Sequence, residues 1–135
     1  MALWRKHAKK SGAARKAETY GHPRDPIAEV KKRLPKAPLG FLWELSIERN
    51  ERSGRPILVL SIVDTANFKP AATRKADLGW DDSMRMPWTE TYARYPSIAD
   101  SIFRCDVIGP IADWAETEAF KRKPADAVER REYIA

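Results

Sequence analysis

The sequence contains one cysteine, Cys105, and two histidines, His7 and His22. A single thiol permits no internal disulfide, and with so few imidazoles no Cys/His zinc cluster can be assembled. A lone thiol is at home in a reducing compartment. Long hydrophobic runs are also missing: the longest, Ile57–Val63, covers seven residues and includes Ser61, whereas a membrane helix needs about 20. Met1–Trp4 is followed at once by Arg5 and Lys6, so the start lacks the apolar stretch of a signal peptide. Neither end carries a lipidation motif. From these absences we expect no membrane partner and a place in the cytoplasm or within an intracellularly assembled particle.

Catalytic signatures are equally scarce. The sequence has no GxSxG elbow, no GxxxxGK[ST] loop and no HExxH pair. Both histidines fall in the basic N-terminal stretch, fifteen residues apart, without a patterned partner to fix a tautomer. We therefore expect no catalytic residue, no metal, no cofactor and no enzymatic activity. The one enzymatic alternative rests on carboxylates. Asp64 ends a predicted strand, and Asp77, Asp81, Asp82, Glu90, Asp100 and Asp106 lie further along. Two or three of them converging would hold Mg²⁺ in a divalent-metal nuclease; otherwise they are turn and cap residues.

What the chain does have is charge, placed unevenly. Met1–Lys36 holds eleven Lys/Arg against three acids, a net of +8, while residues 37–135 hold fourteen against sixteen, a net of −2. The protein thus reads as a near-neutral body carrying a cationic arm that attracts polyanions or acidic surfaces at long range. Its 135 residues suffice for one domain. We divide it into a basic arm, 1–24, an α+β domain, 25–123, and a polar tail, 124–135.

Hydrophobic periodicity supplies the fold. Asp25–Pro26 reads as an N-cap and first helical position, and Ile27, Val30 and Leu34 share one face of a helix over Asp25–Leu34, which Pro35 ends. Phe41, Trp43, Leu45 and Ile47 alternate with Leu42, Glu44, Ser46 and Glu48, the period of a strand. After the polar turn 49–54, residues 55–64 form a second strand, apolar on both faces and hence central in an antiparallel sheet. Residues 65–87 show no stable period and read as irregular. Trp88–Tyr95 and Ile102–Ile108 are weaker strands, the latter after a short helix or turn that Ser97 caps and that carries Ile98 and Ile102, and with Phe103, Cys105 and Val107 inward, so that Cys105 is buried and inert. Gly109–Pro110 is a sharp break before a helix over Ile111–Arg122. The fold class is α+β: a small antiparallel sheet centred on a 41–64 hairpin and covered by one or two short helices. Its expected core is Trp43, Leu45, Ile47, Ile57, Leu58, Val59, Leu60, Ile62, Phe103 and Trp114.

Two sets of binding residues follow. Arg5, Lys6, Lys9, Lys10, Arg15, Lys16 and Arg24, joined by Lys31, Lys32 and Arg33, are candidates for contact with DNA, RNA or another polyanion. Trp4, Trp80, Met84, Met86 and Trp88 are candidates for a protein interface, because two Trp and two Met within an unpatterned segment suit a partner surface. The preferred role is a non-enzymatic structural or interaction protein of a larger assembly, such as a viral particle or ribonucleoprotein, whose partners are protein subunits or further copies of itself. The alternatives are a protein that grips the nucleic-acid backbone, and the nuclease.

Overall fold

The computed structural model describes residues 25–124. The expectations for the arm and for the tail beyond Pro124 lie outside the described residues. The body has an α+β architecture: a three-stranded antiparallel sheet, a two-stranded antiparallel sheet, and helices that cover them.

Helix α1, Pro26–Lys31, begins as its sequence dictates. The Asp25 side chain accepts from the Ile27 N–H at 3.1 Å, Pro26 occupies the first turn, Glu29 is early and Lys31 late. The helix is shorter than expected and ends in a turn, with the Arg33 N–H donating to the Val30 carbonyl. Val30 is fully buried, and Ile27 and Leu34 pack beside it. The connector that follows is tied to the sheet by the Trp43 indole, whose Nε1 donates to the Pro35 carbonyl at 2.8 Å.

Strand β1, Phe41–Arg49, pairs antiparallel with β2, Pro56–Asp64, through all nine positions without a bulge. Asn50 shapes the turn between them: its Oδ1 accepts from the Arg52 and Ser53 amides, and Gly54 takes a left-handed φ of 74°. Strand β2 is central, buried on both faces as its unbroken apolar run requires. Its other neighbour corrects the irregular reading of residues 65–87. Lys69–Asp77 is strand β3, antiparallel to β2, with a bulge opposite Ile62/Val63 and a Ser61–Thr73 hydroxyl hydrogen bond of 2.8 Å. The two short strands β4, Trp80–Asp81, and β5, Met86–Pro87, follow as a minimal hairpin.

Two further expectations are corrected. Trp88–Arg94 is helix α2, not a strand. Trp88 and Thr91, three residues apart, are both buried, which is a helical spacing. Ile102–Ile108 is helical as well. Helix α3, Ala99–Phe103, runs through a π turn, Arg104–Ile108, into α4, Gly109–Lys121. Gly109–Pro110 therefore does not break the chain. Pro110 has no N–H for an α-helical bond, and its ring would crowd the preceding turn; the wider π turn gives that room. Gly109 donates to the Arg104 carbonyl, which a Cβ at this position would meet at 3.1 Å. Phe103 and Val107 point inward as expected, but Cys105, on the outer side of the π turn, is exposed rather than buried.

The core lies between the helices and one face of the sheet. Leu58, Leu60, Leu78, Trp88, Phe103, Ile108, Ile111 and Ala115 fill it. Trp88 stacks edge-on against Phe103 with ring centroids 5.1 Å apart. Of the expected core, Leu58, Val59, Leu60, Ile62 and Phe103 are buried, whereas Trp43, Leu45, Ile47, Ile57 and Trp114 are only half-buried. The end of α4 is fixed by Glu118, buried and bonded to Arg122 at 2.7 Å and Lys121 at 3.1 Å. The Arg122 guanidinium also sits 5.6 Å from the Phe41 ring centroid, joining the helix end to the start of β1.

Two outcomes follow. Trp88→Ala should cost about 3–5 kcal/mol in urea denaturation, while Trp80→Ala, at the half-exposed position, should stay within about 1 kcal/mol. The Glu118 carboxyl is held below its ordinary value, first by the hydrogen bond from Arg122 and against the effect of burial, with Lys121 adding to the lowering. Its stabilisation is therefore complete above the unfolded carboxyl pKa of about 4.3 and disappears as the pH falls through the lower folded value. Urea midpoints measured through that acid range should fall less steeply in Glu118→Gln than in the parent.

Candidate functional site

Two regions of the body merit a functional reading: a cleft between β3 and the π turn, and the end of the sheet where β1 begins.

The cleft has a volume of about 460 Å³. Arg74, Lys75 and Asp77 of β3 form one wall, Trp80, Asp82 and Ser83 a second, and Cys105 and Asp106 of the π turn a third, with Trp88 and Ile111 among its apolar lining. Asp81 builds the turn beside it. This carboxylate is fully buried; Oδ1 accepts from the Ser83 and Met84 amides at 3.1 and 3.2 Å, and Oδ2 from the Thr91 hydroxyl at 2.7 Å. So placed, it holds the β4–β5 hairpin onto α2. The Ser83 hydroxyl donates to the Asp106 carboxylate, closing the cleft on that side. The Trp88 indole Nε1 is buried without a hydrogen-bond partner among the described residues, a cost the core carries. Cations on β3 facing carboxylates on the turns make the cleft a polar, mixed-charge recess. Both imidazoles of the sequence lie outside the described residues.

Asp64, Asp77, Asp81, Glu90, Asp100 and Asp106, proposed for a metal, are engaged in turns, hydrogen bonds and ion pairs here. Asp64 accepts from the Ala66 amide at 2.8 Å and sets the β2–β3 turn. Asp77 accepts from the Gly79 amide at 2.7 Å and receives Arg55 through Nε and Nη2, both at 3.0 Å. Gly79 is needed beside that pair, since a Cβ would meet the Arg55 Cδ at 2.6 Å. Glu90 pairs with Arg94, and Asp100 accepts from the Tyr92 hydroxyl. Among the described residues, no group of three or more His, Cys, Asp or Glu is placed to hold a metal ion, and no helix is long and apolar enough to cross a membrane.

The residues expected to bind partners are scattered. Trp80 is partly exposed beside the cleft, and Met84 and Met86 are half-buried in the β4–β5 hairpin. Trp88 is 1% exposed, an anchor of the core and not a surface group. Lys31, Lys32 and Arg33 are exposed together at the end of α1. Trp4, Arg5, Lys6, Lys9, Lys10, Arg15, Lys16 and Arg24 lie outside the described residues.

The second region was not anticipated from the sequence. Leu39, 87% exposed, precedes Gly40, whose φ is 88°. Phe68, 71% exposed, ends the β2–β3 turn with a φ of 55°, unusual for a bulky residue. The two turns are locked together, because the Thr65 N–H and hydroxyl both donate to the Gly40 carbonyl, at 2.9 and 3.0 Å. Both apolar side chains therefore project from one end of the sheet. Leu42 is also partly exposed there, and Lys36 and Lys69 flank them in the chain. The available signal was a large apolar residue in each of two turn-forming stretches, Ala37–Gly40 and Thr65–Pro70. No family model, no curated protein and no solved structure matches this chain.

Proposed function

We propose that this protein is a non-enzymatic structural or interaction component of a larger, intracellularly assembled particle, and that its body docks on protein neighbours through the apolar end formed by Leu39 and Phe68. The observation that carries this reading is Phe68. An aromatic side chain left in water at a left-handed φ is unfavourable twice over: for L residues that region costs about 1–2 kcal/mol, and the exposed ring forgoes burial worth about 1.5–3 kcal/mol. Strain held at an exposed position suits a group whose use is contact with a partner. Leu39, on a turn fixed to the same sheet end, supplies a second anchor, and the neighbouring lysines supply a polar rim. The basic arm, with Arg5, Lys6, Lys9, Lys10, Arg15, Lys16 and Arg24, is the attachment element for an acidic protein surface.

A second reading has its own support. Lys31, Lys32 and Arg33 present three adjacent cations at the end of α1, in chain continuity with the basic arm. A nucleic-acid backbone would engage both, with each neutralised phosphate adding roughly 0.7–0.9 to the salt slope.

The deciding experiment uses the full chain. Phe68→Gly should leave the fold neutral or slightly stabilised, since glycine accepts the left-handed φ, and paired with Leu39→Ser it should abolish assembly into large species in sedimentation velocity. Assembly unaffected by the pair contradicts the docking reading. Tight, salt-steep binding to DNA or RNA by a chain that does not assemble, weakened by Lys31→Gln and Lys32→Gln, would instead establish the second reading.

A further inference from the structure

The two edges of the main sheet are not alike. Strand β3 carries the features that keep an edge from pairing: Pro70, the cations Lys69, Arg74 and Lys75, and a bulge. Strand β1 has neither proline nor lysine, and no bulge in nine residues. Its core-facing side chains Trp43, Leu45 and Ile47 remain only half-buried, so the apolar layer stops short at this edge.

The backbone of β1 is open in a regular way. The Asn50 N–H donates to the Arg55 carbonyl and the Thr65 N–H to the Gly40 carbonyl, which extends the β1–β2 ladder at both ends. In an antiparallel ladder the hydrogen-bonded pairs alternate, so even-numbered residues of β1 bond to β2. Trp43, Leu45 and Ile47 then turn their N–H and C=O groups away from the sheet, and they have no backbone partner among the described residues.

We propose that β1 pairs antiparallel with β1 of a second copy of this chain, about a two-fold axis at Leu45, to make a continuous six-stranded sheet. The choice of partner comes from the strand's self-complementarity. With Leu45 opposite its own copy, all nine residues pair: Trp43 faces Ile47, Phe41 faces Arg49, Leu42 faces Glu48 and Glu44 faces Ser46 of the other copy. The outward-facing backbone groups of Trp43, Leu45 and Ile47 then meet as hydrogen-bonded pairs, and their side chains continue the apolar layer across the axis. Sliding the register by two residues places glutamates directly opposite: Glu44 against Glu44 in one direction, Glu44 against Glu48 in the other. Like charges in that position are destabilising. A one-residue slip sets bonding groups against non-bonding ones. The strand sequence thus favours one register with itself. This interface needs neither Leu39 nor Phe68, so its failure would leave the docking reading standing, and the reverse holds as well.

The test is register-specific cross-linking in the full chain carrying Cys105→Ser. Glu44→Cys with Ser46→Cys places the two thiols opposite each other across the axis, in a non-hydrogen-bonded pair with Cα atoms about 4.5 Å apart, within disulfide range. Leu42→Cys with Ser46→Cys is the offset control, whose thiols lie on diagonals about 7–8 Å apart. Under mild oxidation the first pair should give several-fold more disulfide-linked dimer than the control, and sedimentation equilibrium of the parent chain should show a monomer–dimer equilibrium. A parent chain that stays monomeric across the concentration series, or equal cross-linking by both pairs, would overturn the proposal.

Discussion

Strand β2 is the constraint from which the rest of the body follows. Leu58, Leu60 and Ile62 on one face and Val59 and Val63 on the other leave it no side that tolerates water. Such a strand must be paired along both edges and shielded on its faces. Pairing recruits β1 and β3; on the face of Leu58 and Leu60, shielding recruits α1, α2 and the long interrupted helix of α3, the π turn and α4. Leu60 touches water nowhere, and the buried Asp81–Thr91 pair fixes the one hairpin that would otherwise hang free of this layer. Because the helices gather around β2 and β3, cover runs out over β1. The half-buried Trp43, Leu45 and Ile47 are the consequence.

The parts legible in the sequence were those where burial and period agree. Phe41–Ile47 alternates because one face meets the helices, and residues 55–64 are continuously apolar because both faces are covered. Asp25–Pro26 announced α1 through its cap chemistry. Strand β3 was illegible for the opposite reason: Lys69–Asp77 is an edge strand, mostly exposed, whose place is set by backbone bonds to β2 more than by its side chains. In Trp88–Arg94 and Phe103–Val107, spacings of three and four coexist with spacings of two, so short windows fit either element. Because Phe103 and Val107 face inward on a helix and not on a strand, Cys105, two residues from each, lies on the outer side.

The candidate sites were less legible still. Trp88 and Trp80 look alike in sequence, yet one is the largest side chain in the core and the other sits at the rim of a cleft. Leu39 and Phe68 read as ordinary loop residues, since neither a left-handed φ nor the meeting of two turns at Gly40 and Thr65 leaves a local sequence pattern. Asp64, Asp77, Asp81 and Glu90, among the carboxylates that suggested a metal, are engaged in turns and ion pairs, a use that residue type alone does not distinguish from ligation.

Strand β2 is the doubly paired centre of the sheet, and β1 is an edge whose outward backbone groups have no partner among the described residues. Amide hydrogen exchange of the dilute full chain, read residue by residue by NMR, tests this arrangement directly. The account predicts the slowest exchange at Leu58–Ile62, with slow amides at Leu42, Glu44 and Ser46 alternating with fast ones at Trp43, Leu45 and Ile47. Uniform protection along β1 in the dilute monomer, or exchange at Leu58–Ile62 as fast as at Trp43, Leu45 and Ile47, would contradict it.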